Sequence, residues 1–517
     1  MSSARLPALV VIAGSLAAGL LVQANRGEPV VTDDSGPGIL VPAAPGEGSL
    51  SSTWYCAGGT GTEGGIADHV VLMANPGTEA VTATLTVLGG DVAPPLPDAA
   101  STTTTSTPPS STTTPAAPRP VREPVVSQVE VPGGERVDVR LGTLLDAPLV
   151  SAVVEVDGGE VVVEHRLAGE LGSSSAPCAT TAATDWSFPW GTTARGNREL
   201  LVFMNPFPET ATIDISFATD EGVRETRRFE GFPVPARSVV GAYVDEDVQR
   251  RLQLSAHVTT RAGRVVVDRI QTFDGTDGRR GLTVGLGAPT PALVWAFPDG
   301  IAGEGAGEQV VVFNPTAEVA EAQVEVLPAD VDEAGIPEPF AVSVAPGRYA
   351  LVSLHEDERV TPGTAHAVVV RSLNGVPVVA EQVRWSDGSD GSVRGVGATL
   401  GAPLMGRRWL LAAGSTSAEV DEVLTVVNLT DQDAEVDVGA FGDGRVGPID
   451  GLRTLEVPSQ GRVQVRLRDL VQRQPLPLVV ESDVPVVVER SLYTSDAVGM
   501  SHSIAVPVGP TVVPDES

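Results

Sequence analysis

An all-β protein built from tandem immunoglobulin-like sandwiches is what this sequence predicts, and three observations carry the prediction. The first is period-two alternation of β-branched residues, as in RVDVRL (136–141) and RVQVRL (462–467), which marks strands buried on one face. The second is turn chemistry between apolar runs, such as Asp157-Gly158-Gly159 and Asn374-Gly375, where positive φ closes hairpins. The third is self-similarity, the signature of a repeated building block. Four segments open on Trp54, Trp186, Trp295 and Trp409 and reach Asn75, Asn205, Asn314 and Asn428 after 21, 19, 19 and 19 residues.

Further landmarks follow in the same order each time. A Pro and an Arg open the next alternating strand: Pro132/Arg136, Pro235/Arg237, Pro346/Arg348 and Pro458/Arg462. A Val-rich strand then ends on an acid, Glu164, Asp268, Glu381 or Glu489, and the unit closes at Ala176-Pro177, Ala288-Pro289, Ala402-Pro403 or Gly509-Pro510. Helical signal is confined to short pieces after the Pro–Arg strand (LGTLLDAP, DEDVQRRL, HEDERV, LRDLVQRQ), each one or two turns long. Units of this size with about seven short strands fit a two-layer sandwich. The expected organisation is a signal peptide or membrane anchor (1–26), a flexible linker (27–52) and modules at 53–185, 186–292, 293–406 and 407–517.

The start of the chain supports an extracytoplasmic location. Arg5 precedes the apolar run LPALVVIAGSLAAGLLV (6–22), with small residues before a break near Ala24, the layout of a secretory signal. A Gly/Pro/Ser-rich stretch follows. A second low-complexity tract, rich in Thr, Ser and Pro, occupies 93–124. It lengthens the Asn-to-acid spacing of the first unit to 89, against 63, 67 and 61 in the others. It reads as a loop insertion and a candidate for O-glycosylation.

Charge excludes some functions. The net charge is −32 and all 34 basic residues are arginine, so nucleic acid is not an expected partner and lysine chemistry is absent. Cys56 and Cys178, the two cysteines, both fall in the first unit and predict a disulfide stapling its first strand to its last segment. Gly59, Gly61 and Gly64 match G-x-G-x-x-G, but a strand and not a helix is expected after them, which removes the phosphate-binding reading. The repeat acids read as strand-end carboxylates paired with arginines such as Arg166, Arg269 or Arg490. The repeat tryptophans read as core or module-contact residues, with a saccharide-stacking row as the alternative. Asp274, Asp277, Asp387 and Asp390 sit in Asp-Gly turns that offer oxygens of the kind calcium takes, without EF-hand spacing.

The W…N-P…P-x-x-R…E-R…A-P grammar, with STWYCAGG (52–59), ADHVVLMANPG (67–77) and APC (176–178), resembles a family of large secreted proteins of unknown function from high-GC Gram-positive bacteria. The resemblance implies a non-catalytic extracytoplasmic protein with no active-site residues and no cofactor. The expectation is a non-enzymatic cell-envelope protein with a structural or adhesive role. The alternative is a carbohydrate- or cell-wall-binding protein using exposed aromatics or loops. Partners are then cell-wall polysaccharide or another envelope protein, with membrane contact only through the N-terminal segment. In the fourth unit Leu429 stands where the others have Pro, which leaves that turn open.

Overall fold

The computed structural model describes residues 41–46, 48–94, 122–303, 305–330, 335–389, 392–495 and 498–514. The apolar N-terminal run and most of the Thr/Ser/Pro tract lie outside them. Among the described residues the chain is strands and short 3-10 turns, and no helix is long and apolar enough to cross a membrane.

The first stretch forms two facing sheets. In one, Ser51–Cys56, Leu149–Asp157, Val81–Val92 and Val125–Val131 pair in that order, all antiparallel. In the other the order is Glu135–Arg140, Asp68–Asn75, Val162–Gly169, Gly172–Pro177. Between them lies an apolar core containing Trp54, Leu72, Leu85 and Val154. The second-to-fifth and third-to-sixth ladders are those of an immunoglobulin sandwich. The first strand, however, lies beside the sixth instead of sharing a sheet with the second and fifth.

The same order of ladders recurs downstream. Asp185–Phe188, Leu254–Ala262 and Ala211–Thr219 face Ser238–Tyr243, Asn197–Asn205, Val266–Asp274 and Arg280–Leu286. Val294–Ile301, Ala365–Ser372, Ala320–Pro328 and Phe340–Val344 face Tyr349–Ser353, Ala306–Phe313, Val379–Ser386 and Gly395–Leu400. In the last stretch Met405–Leu411 and Ala434–Gly442 belong to one sheet; Gly461–Arg466, Val420–Asn428 and Met500–Ile504 belong to the other. Leu478–Thr494 crosses from one sheet to the other as one strand. No glycine interrupts it, whereas Gly158-Gly159 and Asn374-Gly375 break the equivalent run earlier in the chain. The short helical pieces are single 3-10 turns at Leu141–Thr143, Val244–Glu246, Leu354–Glu356 and Leu467–Asp469.

The stretches close on one another. The closing strands Gly172–Pro177, Arg280–Leu286, Gly395–Leu400 and Met500–Ile504 pack side by side in a circle, the last against the first. Val284 N donates to Ser174 Oγ at 3.1 Å and Ser175 N to Ser501 Oγ at 2.9 Å. Small residues permit the approach: a Cβ on Gly397 would overlap the His502 ring. At one end of this axis is an apolar cavity of about 110 Å³ lined by Leu286, Trp295, Leu400, Trp409 and Val506. Val41 and Pro42 also line it. Ala44 is buried, donates to Pro507 O at 2.9 Å and bridges Val508, so this part of the expected linker is strapped to the body.

Candidate functional site

The repeated residues fall at equivalent, buried places in the four stretches. Each Trp lies within its strand with the indole sealed, at 0–2% exposure for Trp54, Trp186, Trp295 and Trp409. Three of the indole N–H groups donate to carbonyls: Trp186 to Val265, Trp295 to Val378 and Trp409 to Gly406. Trp54 Nε1 reaches Ser52 Oγ at 3.3 Å. None of these rings is exposed at the surface; Trp295 and Trp409 border only the small apolar cavity described above.

Each Asn is fully buried and makes one set of bonds. Nδ2 of Asn75, Asn205, Asn314 and Asn428 donates to the carbonyl four residues on and to the carbonyl of Val131, Val234, Val344 or Val457. Oδ1 accepts the amide two residues on, from Gly77, Phe207, Thr316 or Thr430. Leu429 therefore leaves the fourth turn unchanged, because the Asn side chain holds it and the following proline does not.

Cys56 and Cys178 form a disulfide across 122 residues. It sits where Tyr55 bridges Ala179, so it staples the first strand to the closing segment. Ser187–Ala288 and Ala296–Ala402 bridges occupy the corresponding places downstream without a covalent link.

The repeat acids sit inside their strands, not at the expected ends, because each strand runs on past the acid to pair with the closing strand, and they do not pair within their own stretch. Glu164 Oε2 lies 2.9 Å from Arg490 Nη2 and accepts Ala413 N at 2.9 Å. Glu381 meets Arg269 at 2.5 Å and accepts Trp190 N at 3.0 Å. Glu489 meets Arg384 at 3.4 Å and accepts Asp299 N at 3.1 Å. Asp268 faces His165 Nε2 at 3.7 Å and the Ala57 and Gly58 amides. In every joint the acid receives the amide four residues after the neighbouring Trp, from Gly58, Trp190, Asp299 or Ala413, plus a base from the neighbouring acid strand. The joint between the last stretch and the first uses the same parts as the others. Of the expected partners, Arg269 and Arg490 do take repeat acids, but acids from another stretch. Arg166 lies 3.8 Å from Asp138 instead.

A third position completes each joint, and sequence reasoning missed it. Six residues before the repeat Asn stand His69, Glu199, Glu308 and Glu422, all buried. Each packs against a glycine five residues after the Trp: Gly59, Gly191, Gly300 or Gly414. A Cβ on any of these glycines would collide with that side chain. Both positions repeat in all four aligned segments, and that recurrence was the available signal.

Burial sets the protonation of these groups. It pushes Asp268 up to about 7 and Glu199, Glu422 and Glu489 up to about 8, because a charge loses hydration there. It lowers His69 to about 4 and His165 well below the usual imidazole range, with the neighbouring His69 adding to the shift in His165. Burial also opposes ionisation of Asp299, yet the Arg384 and Arg462 guanidiniums hold its carboxyl well below the usual range.

Asp299, Glu489 and His502 are the one group among the described residues with metal-ligand proximity. Their donor atoms are engaged by protein cations: Arg384 lies 2.9 Å from Asp299 Oδ2 and Arg462 lies 3.2 Å from Oδ1. Ser491 Oγ donates to Asp299 Oδ2 at 2.8 Å and lies 2.8 Å from His502 Nδ1. Here the serine bridges acid and imidazole, whereas in a hydrolytic triad the imidazole bridges serine and acid.

The Asp-Gly turns are self-satisfied. Asp274 Oδ1 accepts Thr276 N, Asp277 accepts from Arg279 and Asn197, and Asp387 Oδ1 accepts Ser389 N. Asp390 lies outside the described residues. The loop carrying Gly59 and Gly61 runs into the strand Asp68–Asn75, not into a helix that could bind a phosphate.

A family model described as "Family of unknown function (DUF5719)" matches residues 163–390 and 361–486. The chain belongs to this family. The DUF5719 match includes Glu164, the Asp268–His165 and Glu381–Arg269 pairs and Arg384, and ends three residues before Glu489. No curated protein matches. Among solved structures, "Crystal Structure of Thermotoga maritima 1070" is similar over 22% of this chain and 95% of its own, at 22% identity and a TM-score of 0.19. The Anabaena sensory rhodopsin transducer is similar over 18% of this chain and 88% of its own, at 20% identity and a TM-score of 0.16. Likenesses this weak carry no functional meaning.

Proposed function

We propose that this DUF5719 chain is a non-enzymatic scaffold of the cell envelope: one sandwich unit used four times and closed into a ring outside the cytoplasm. The observation that supports this reading most is the use made of the repeat acids. The repeat carboxylates are sealed in joints, each accepting an amide and, in three of the four, facing an arginine. The disulfide and the signal-like start favour an oxidising compartment, and the acidic exterior favours solubility and mutual repulsion. A structural or adhesive role toward wall polysaccharide or another envelope protein follows from a rigid body tethered at its N-terminal end. Saccharide recognition through the repeat tryptophans is not part of this proposal, since their rings are buried.

Fractionation of native cells with mass spectrometry of the recovered protein tests it. The expected result is an envelope-fraction protein carrying the Cys56–Cys178 link. Recovery in the cytosol with both cysteines as free thiols contradicts the reading.

A further inference from the structure

A groove at the joint between the first and second stretches uses residues that the acid joints leave untouched. One part, a cleft of about 510 Å³, is lined by Arg195, Asn197, Arg198, Asp245, Arg250 and Thr272, with Leu171 from the first stretch. It runs on, through Leu171, Arg198 and Thr272, into a second hollow of about 320 Å³ beside Tyr243 and Glu170. Three arginines converge here on a chain whose net charge is −32.

The groove is built to hold its shape. Thr193 N donates to Arg251 O and Arg250 N to Thr193 O, each at 3.0 Å, clipping two walls together. Asp274 N donates to Gly196 O at 3.0 Å and fixes the third. Arg198 is held flat, its Cζ 3.6 Å from the Tyr243 ring centroid and its Nε 3.3 Å from Asp245 Oδ2. Arg195 and Arg250 are exposed and make no ion pair among the described residues. Arg250 sits at φ 58°, a left-handed conformation that a non-glycine residue adopts at a cost.

The lining mixes cations with hydroxyl-binding groups. Guanidinium forks match a carboxylate, while Asp245 Oδ1 and Asn197 Oδ1, which accept no hydrogen bond among the described residues, and Thr272 line the cleft with groups of the kind sugar hydroxyls take. We infer that this groove binds an acidic saccharide, a polyhydroxylated chain bearing carboxylates. The inference is independent of the scaffold reading: the ring stands whether or not the groove is filled.

The test uses the full chain and three probes: oligogalacturonate, a neutral galacto-oligosaccharide of the same length, and polyphosphate. Oligogalacturonate is expected to bind with salt-sensitive affinity and the neutral probe to bind at least tenfold more weakly. Arg195→Ser and Arg250→Gly should each weaken oligogalacturonate roughly tenfold, the effect of one charge-assisted bond. Arg250→Gly suits the left-handed backbone and should raise the melting temperature, which separates lost binding from lost folding. Equal binding of the neutral probe, tighter binding of polyphosphate, or wild-type affinity in both variants overturns the inference.

Discussion

The Glu164–Arg490 joint offers the sharpest perturbation, because it links the first stretch to the last. Both side chains are sealed, at 0% and 1% exposure, and lie 2.9 Å apart. Removing one member of such a pair strands the other charge, at a cost of about 3–5 kcal/mol. Glu164→Gln keeps an oxygen for the Ala413 amide and loses only the charge. Glu422 lies close enough to feel both groups: Arg490 favours its ionised form and Glu164 opposes it. With Glu164 neutral, Glu422 can ionise in its place, so the cost falls at the low end, about 3 kcal/mol. The double change Glu164→Gln/Glu422→Gln blocks that relief and should approach about 5 kcal/mol. Native-state hydrogen exchange at the Ala413 amide reads the joint directly. Its protection should drop roughly a hundredfold in Glu164→Gln, since about 1.4 kcal/mol is tenfold. The exposed Glu356 serves as control, with Glu356→Gln within about 0.5 kcal/mol. A change below about 1 kcal/mol in Glu164→Gln, or an equal effect in the control, would refute the idea that this acid holds the joint.

Other outcomes follow from the same geometry. The raised carboxyls bind protons in the folded chain that they release when unfolded, so their stabilisation is complete below about pH 4.5 and is lost as pH rises toward 8. Melting temperature should therefore fall across that window, and Glu422→Gln should reduce the slope; an unchanged slope contradicts the assignment. Gly414→Ala would force a Cβ into Leu476 O and the Glu422 carboxyl, costing about 1–3 kcal/mol by chemical denaturation. Gly447→Ala, with nothing within 4 Å, should stay within about 0.5 kcal/mol. Reducing the disulfide frees a loop of 122 residues and should cost on the order of 5 kcal/mol on the chain-entropy model. A melt insensitive to reductant would show that backbone pairing alone holds the staple.

Much of the fold was legible because its signals are local. Strand alternation, Asp-Gly turns, the four Trp–Asn spacings and the paired cysteines each lie within a short window, and period-two burial is a property of neighbouring residues. The acids were legible as recurring residues but not as joints. Glu164 and Arg490 are 326 residues apart, and no spacing rule connects an acid inside one strand to an amide of another stretch. The glycine after each Trp was visible as a column but reads alone as loop flexibility; only the opposing His69, Glu199, Glu308 or Glu422 explains it. Leu429 shows the converse, a departure in sequence that changes nothing because Asn428 carries the turn.

Small-angle X-ray scattering of the full chain tests ring closure most directly. A compact body of this length has a radius of gyration of about 24 Å, and the account predicts a value close to that with a single-peaked distance distribution. Modules strung end to end would give roughly twice that radius and a long tail of distances, which would contradict closure between the first and last stretches.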